Sequence, residues 1–157
     1  MPKVNPIPEG YHTLTPHLIV RNADKALEFY KKAFGAEEIF KMPTPEGKIG
    51  HAELKIGDSI FMMCDEWPGM ASSPQTVGGT SVTIHLYVQD VDTAYKKAIA
   101  AGCTSTMPVQ DMFWGDRYGK LKDPFGHEWS IATHKQDLTP AQIAEGAKKA
   151  FSEMGKS

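Results

Sequence analysis

The sequence predicts an α+β fold: two βαβββ modules whose curled mixed sheets enclose a pocket, followed by a C-terminal helix. Three observations carry this. The phrase TPHLIV at 15–20 returns as TIHLYV at 83–88. Residues 15–26 and 83–94 agree at six of twelve positions, where ordinary residue frequencies give about one match by chance. YKKA occurs at 30–33 and again at 95–98, each followed by a helix-stopping glycine, Gly35 or Gly102. Three short β-like runs then follow in each half, divided by Gly, Pro and Asp clusters that are turn chemistry. A phrase written twice is the mark of a duplicated supersecondary unit.

Each element follows in order. His12–Val20 and Thr80–Val88 are apolar, β-rich runs that read as strands. Asn22 and Asp90 are N-caps for the helices that follow, with Asp24 and Asp92 in the first turn, where carboxylates suit the positive end of the helix dipole. The buried stripe is Ala26, Phe29, Tyr30, Ala33 and Phe34 in the first helix, and Val91, Ala94, Tyr95, Ala98 and Ile99 in the second. Both keep the spacing of a helix lying on a sheet. The β runs cover about 37–42, 48–56 and 59–64 in the first module, and about 104–112, 116–122 and 127–133 in the second. The stretch EWPGMASSPQTVGG (66–79) reads as an irregular linker. Thr139, Pro140 and Gln142 supply the N-cap, N1 proline and capping-box glutamine of a last amphipathic helix, to about 153. The modules are thus 12–65 and 80–134, and 135–157 is a helical extension.

The 157 residues suit one domain. An apolar content of 41% with 23% charged residues is that of a folded globular chain. A net charge of −2 gives no electrostatic footprint for nucleic acid or an anionic membrane. No apolar run reaches the roughly 18 residues of a membrane span. The N-terminal MPKVNPIPEG has no apolar core of a secretory signal. Cys64 and Cys103 form no disulfide framework and lie near no basic cluster, so they read as structural thiols. A nucleophile elbow, a P-loop and a dinucleotide fingerprint are all missing. The expectation is a cytoplasmic protein with a small-molecule partner and no nucleic-acid or membrane partner.

With FYKKAFGA closing the first helix and DPFGHEW before the last strand, residues 12–134 resemble the vicinal oxygen chelate superfamily. It includes glyoxalase I, bleomycin-resistance proteins, fosfomycin-resistance enzymes and ring-cleaving dioxygenases. The stretch FWGDRYGKLKDPFGHEWSIATH (113–134) is similar to its PhnB-like, glyoxalase-type branch. The resemblance implies a pocket shared between modules and a homodimer. It also implies, in metal-dependent members, a divalent ion held from the first and last strands of each module. Those positions align here with Thr15, Met62, Thr83 and Ser130. Two threonines, a thioether and a serine are not a ligand set for such an ion, so the glyoxalase I metal site is expected to be absent.

The histidines stand two residues further on. In a strand, i and i+2 share a face, so His17 and His85 are expected to line the same pocket as Thr15 and Thr83, and Glu128 to join Ser130 there. His51 and Glu53 likewise leave the helix-packed face, and read as a solvated edge. Trp114 and Arg117, with Phe113 and Tyr118, surround a glycine-broken hairpin that suits the mouth of a pocket for a planar or anionic ligand. Met62, Met63, Met70, Met107 and Met112 are candidates for an adaptable apolar wall or for ordinary core.

Two functional readings result, with no residue given a catalytic role. The first is a protein that binds or transforms a small hydrophobic or aromatic molecule without the glyoxalase I metal site. The second is a metal-dependent lyase, isomerase or oxygenase using a displaced site of His17, His85 and Glu128, and a divalent ion is the less favoured cofactor. A third class, a regulatory or scaffolding domain, predicts no cavity large enough for a drug-sized molecule.

Overall fold

The computed structural model describes residues 4–155. Its strands and helices run β1 (His17–Val20), α1 (Ala23–Phe34), β2 (Glu37–Pro43), β3 (Ile49–Ile56), β4 (Ser59–Asp65), α2 (Pro74–Val77), β5 (Thr83–Tyr87), α3 (Val91–Ala101), β6 (Thr104–Asp111), β7 (Asp116–Lys122), β8 (Glu128–His134) and α4 (Pro140–Met154). The duplication is complete. One sheet has the order β1-β4-β3-β2 and the other β5-β8-β7-β6. In each, the first strand pairs parallel with the last and the remaining pairs are antiparallel. Both sheets are open.

The helix ends follow their sequence signals. Asn22 caps α1 by accepting from the Lys25 amide, Asp90 caps α3 through the Thr93 amide, and Gly35 closes α1 in the left-handed region at φ 68°. Thr139 and Gln142 form the reciprocal capping box that opens α4. Two strands start later than expected, at His17 and Thr83. Residues 12–16 bend instead, with the Thr15 hydroxyl donating to the His12 carbonyl at 3.1 Å. The linker is less irregular than its composition suggests, because Ser73 and Pro74 start the short α2.

Alternation then sorts each sheet into two faces. Leu18, Val20, Ala52, Leu54, Phe61 and Met63 turn toward the helices and are buried. So are Leu121, Trp129 and Ile131 of the second sheet, in one core continuous across both modules. Helix α1 packs on α3. Phe34 lies 4.5 Å from the Trp129 ring, and the Tyr30 hydroxyl donates to Asp123 at 2.7 Å. The His127 ring meets the Ile19 carbonyl at 2.9 Å, a second tie between modules that places the proton on Nε2. The helical layer therefore joins the halves, and the faces carrying His17 and His85 are turned away from it.

Gly119 shows how close that packing is. A Cβ there would come within 2.9 Å of both the Tyr95 ring and Val109. Tyr95 cannot withdraw cheaply, because its hydroxyl is bonded to Ser105 and to the Met107 and Lys120 carbonyls. Both thiols are buried and free. Burial, with Asp123 nearby, pushes the Cys103 thiol up to about 12, and burial also raises Cys64. Since the thiolate is the reactive form, neither cysteine of the native protein is expected to react with iodoacetamide at pH 8 within minutes, while both react in urea. Rapid labelling of the folded protein, read by mass spectrometry, would contradict this.

Candidate functional site

His85 sits mid-strand in β5, directly opposite Ser130 of β8. Its Nδ1 is 2.7 Å from the Ser130 hydroxyl. Tyr118 stacks on the imidazole at 5.9 Å and 17°, and Tyr87 meets it edge-on at 4.5 Å. Trp114 closes against Tyr118 at 5.5 Å. This aromatic set has one polar anchor, the buried Asp116. Asp116 accepts from the Tyr87 hydroxyl at 3.1 Å, from Trp114 Nε1 at 3.1 Å and from His134 Nδ1 at 2.7 Å. Burial alone would raise the Asp116 pKa. The bonds from His134, Tyr87 and Trp114 outweigh it and hold the group below the usual range.

Burial also lowers the pKa of His85, with Asp116 opposing weakly, so the imidazole is neutral at neutral pH. Because Nδ1 is engaged with Ser130, Nε2 is the nitrogen left for a ligand. It is a donor when Ser130 donates to Nδ1, and a base when Nδ1–H donates to Ser130.

A cavity of about 540 Å³ lies where the modules meet. Leu18 and Phe61 of the first module and Ile84, Leu86 and Trp129 of the second wall it, and His85 is among its lining groups. That volume is in the range of drug-sized ligand sites. A second hollow of about 390 Å³ contains His17, with Ile19, Val77 and His127. The two share Pro16, Leu18 and Ile84. The expectation that both histidines enter one cavity is therefore corrected for the single chain. His17 and His85 line different hollows.

The first module carries its own polar group. His17 and His51 meet edge-on at 6.0 Å, and His51 Nε2 lies 3.2 Å from Glu53. Burial, and then His51, lower the pKa of His17. The Tyr11 hydroxyl is buried beside Glu53. Burial and the adjacent Glu53 push its pKa up to about 12. The alternation in HAELKI signalled that His51 and Glu53 share a face. Their pairing and half-burial, which replace the expected solvated edge, depend on Tyr11 and His17 arriving from outside β3.

Other expected site residues separate. Ser130 is engaged by His85 and Thr15 by its own turn. Met62 lies beside His17 in register, and exposed Thr83 lies opposite Glu128. These four positions do not fit a divalent ion, since they present no imidazole or carboxylate. Nor do His17, His85 and Glu128 assemble. Among the described residues no group of three or more His, Cys, Asp or Glu side chains is placed to hold a metal ion.

Arg117 is a further correction. Its guanidinium binds Asp92 of α3 bidentately at 2.7 and 2.8 Å and Asp111 at 3.2 Å, on the helix side of β7. The alternation of DRYGKLK contains the signal, because Arg117 shares parity with the buried Leu121. The methionines divide as well: Met63 is core, Met70 is exposed, and none lines either cavity.

Residues 11–131 match the family model of the Glyoxalase/Bleomycin resistance protein/Dioxygenase superfamily. An uncharacterized protein of Mycobacterium tuberculosis is 43% identical over 134 residues, covering 83% of this chain and 79% of that protein. The crystal structure of TioX from Micromonospora sp. ML1 superposes with a TM-score of 0.64 at 27% identity, covering 78% of this chain and 98% of that one. The fosfomycin resistance protein FosX from Listeria monocytogenes, crystallised with Mn(II), superposes with a TM-score of 0.59. Its 21% identity, over 83% of this chain and 93% of that one, shows a shared fold. No helix among the described residues is long and apolar enough to cross a membrane.

Proposed function

Because the chain belongs to the glyoxalase/bleomycin resistance protein/dioxygenase superfamily, we propose that it binds or transforms a small hydrophobic or aromatic molecule between its modules, without the divalent ion of glyoxalase I. The observation that carries this is the apolar cavity of about 540 Å³ at the junction of the modules, with His85, held by Ser130, among the residues at its β5 edge. Apolar walls supply affinity in proportion to the area they dry, and one oriented polar group fixes the ligand's direction. A flat aromatic molecule with a single hydroxyl or carbonyl matches that distribution. The stretch at 113–134 supports a PhnB-like reading, and cytoplasmic residence is part of the same proposal.

The same reading makes the protein a homodimer. Phe40, Met42 and Tyr87 stand about half-exposed or more on strands β2 and β5. Burying such side chains against a second copy would take apolar surface out of water. Light scattering at micromolar concentration is expected to give twice the chain mass; a monomer there would reject the dimer.

A thermal-shift titration tests the binding reading, with 2-naphthylmethanol as the probe and protein treated with chelator. A ligand that binds only the folded state stabilises it by RT ln(1 + [L]/Kd), about 2.7 kcal/mol at a hundredfold excess over Kd. A saturable rise in Tm unaffected by chelator is expected. A rise that appears only after a divalent ion is restored would favour the metal-dependent lyase, isomerase or oxygenase instead. Since His85 acts as a neutral group and its pKa is lowered, its protonation is expected to weaken binding on the acid side, as pH falls through that lowered value.

A further inference from the structure

The stretch between β8 and α4 lies directly on the turn that carries Trp114. The amides of Lys135 and Gln136 both donate to the Gly115 carbonyl at 3.0 Å. Gly115, at φ 102°, has no side chain, and a Cβ there would collide with the Gln136 carbonyl. Leu138 packs over the same glycine. Helix α4 adds a second hold. A Cβ on Gly146 would lie 2.9 Å from Phe113 Cβ, so the helix rests on that residue, and Phe151 meets the Phe113 ring at 6.1 Å. Phe113 in turn stands edge-on to Trp114 at 5.0 Å. A line of ring contacts thus runs from the C-terminal helix through Phe113, Trp114 and Tyr118 to His85.

One side chain bridges this extension to the body. His134 places Nδ1 at 2.7 Å from Asp116 and Nε2 at 2.9 Å from Asp137. We propose that residues 135–154 form a strap that sets the position of Trp114 against Tyr118, the ring stacked on His85, and that His134, held between Asp116 and Asp137, is its latch. The role assigned to the strap rests on the ligand-binding reading given above; the latch itself is a statement about Trp114. His134 is a positioning residue, since it acts through Asp116, the carboxylate that also holds Trp114 Nε1 and the Tyr87 hydroxyl.

The chemistry gives the latch a direction. Only the imidazolium can donate at both nitrogens at once, so both bonds to carboxylates need the protonated ring. The charged groups facing it are Asp116 from β7 and Asp137 from the strap, and Tyr87 of β5 shares Asp116. Hydrogen bonds to Asp116 and then Asp137 raise the pKa of His134. A raised value means the latch is closed below the ordinary histidine pKa and is released as pH rises through the raised one. Release frees Asp137 first, because Asp137 is fully open to water while Asp116 is buried.

The test follows Trp114 emission in the full chain, as the difference between wild type and Trp114→Phe, from pH 5.5 to 8.5. The expected result is a red shift as pH rises, with affinity for 2-naphthylmethanol falling about three- to tenfold over the same step. His134→Gln, which stays neutral throughout, should remove the step, and Gly146→Leu, which lifts α4 from Phe113, should give the released emission at every pH. A Trp114 signal independent of pH in wild type, or a step that survives His134→Gln, would overturn the latch. If wild type does not bind the probe while the Trp114 step persists, the cavity reading fails and the latch stands.

Discussion

Asp123→Ala is expected to destabilise the protein by about 3–5 kcal/mol, because each buried donor left without an acceptor costs about 1–3 kcal/mol. The carboxylate is 4% exposed and accepts four hydrogen bonds: Tyr30 Oη at 2.7 Å, Trp129 Nε1 at 2.9 Å, and the amides of Phe125 and His127 at 2.9 and 3.0 Å. Tyr30 belongs to the first module and the other three to the second, so one of the four bonds lost crosses the joint between the halves. Urea unfolding should show the midpoint moving down with little change in slope. Adding Tyr30→Phe to Asp123→Ala should recover part of the loss, because it removes one of the stranded donors. A change below about 1 kcal/mol would mean that water replaces the carboxylate and that the hub is not what joins the modules.

Ile84→Trp is expected to weaken binding of 2-naphthylmethanol at least tenfold while leaving the fold intact. Ile84 is only half-buried and forms wall in both hollows. A larger ring there grows into space that is otherwise open to a ligand. One methylene too many in an apolar pocket already discriminates by about 10- to 200-fold. Circular dichroism and urea unfolding should match wild type within about 1 kcal/mol, since no buried polar group is disturbed. Undiminished affinity in Ile84→Trp would place the ligand on the open aromatic face of Tyr87 and Tyr118 instead of in the cavity.

Much of the architecture is legible in the residues because it rests on local signals. Asn22, Asp90 and Thr139 carry capping oxygens that act within three residues, and Gly35 answers a backbone requirement of its own position. The duplication supplies the rest, since two copies of one phrase imply two copies of one unit. What alternation cannot give is the partner on the other strand. His17 and His85 occupy equivalent positions, but one meets His51 and the other Ser130 and Tyr118. Long-range neighbours decide that difference.

Arg117 leaves the pocket mouth for a different reason. Its loop neighbours Phe113 and Trp114 suggest a pocket mouth, while the strand parity that sends it to Asp92 is set by the Gly115 turn. The Tyr11, His51 and Glu53 group is hidden for a similar reason, because Tyr11 reaches β3 from a segment without regular structure. Likewise, α2 is too short at four residues for any periodicity to reveal it.

A crystal structure of chelator-treated protein grown with 2-naphthylmethanol tests the central claim most directly. Density for the ring between Phe61, Ile84 and Trp129, its hydroxyl toward the β5 edge that carries His85, is the expected result. Density for a divalent ion among His17, His85 and Glu128 in crystals grown with metal, or a ligand bound elsewhere with this cavity closed, would contradict it.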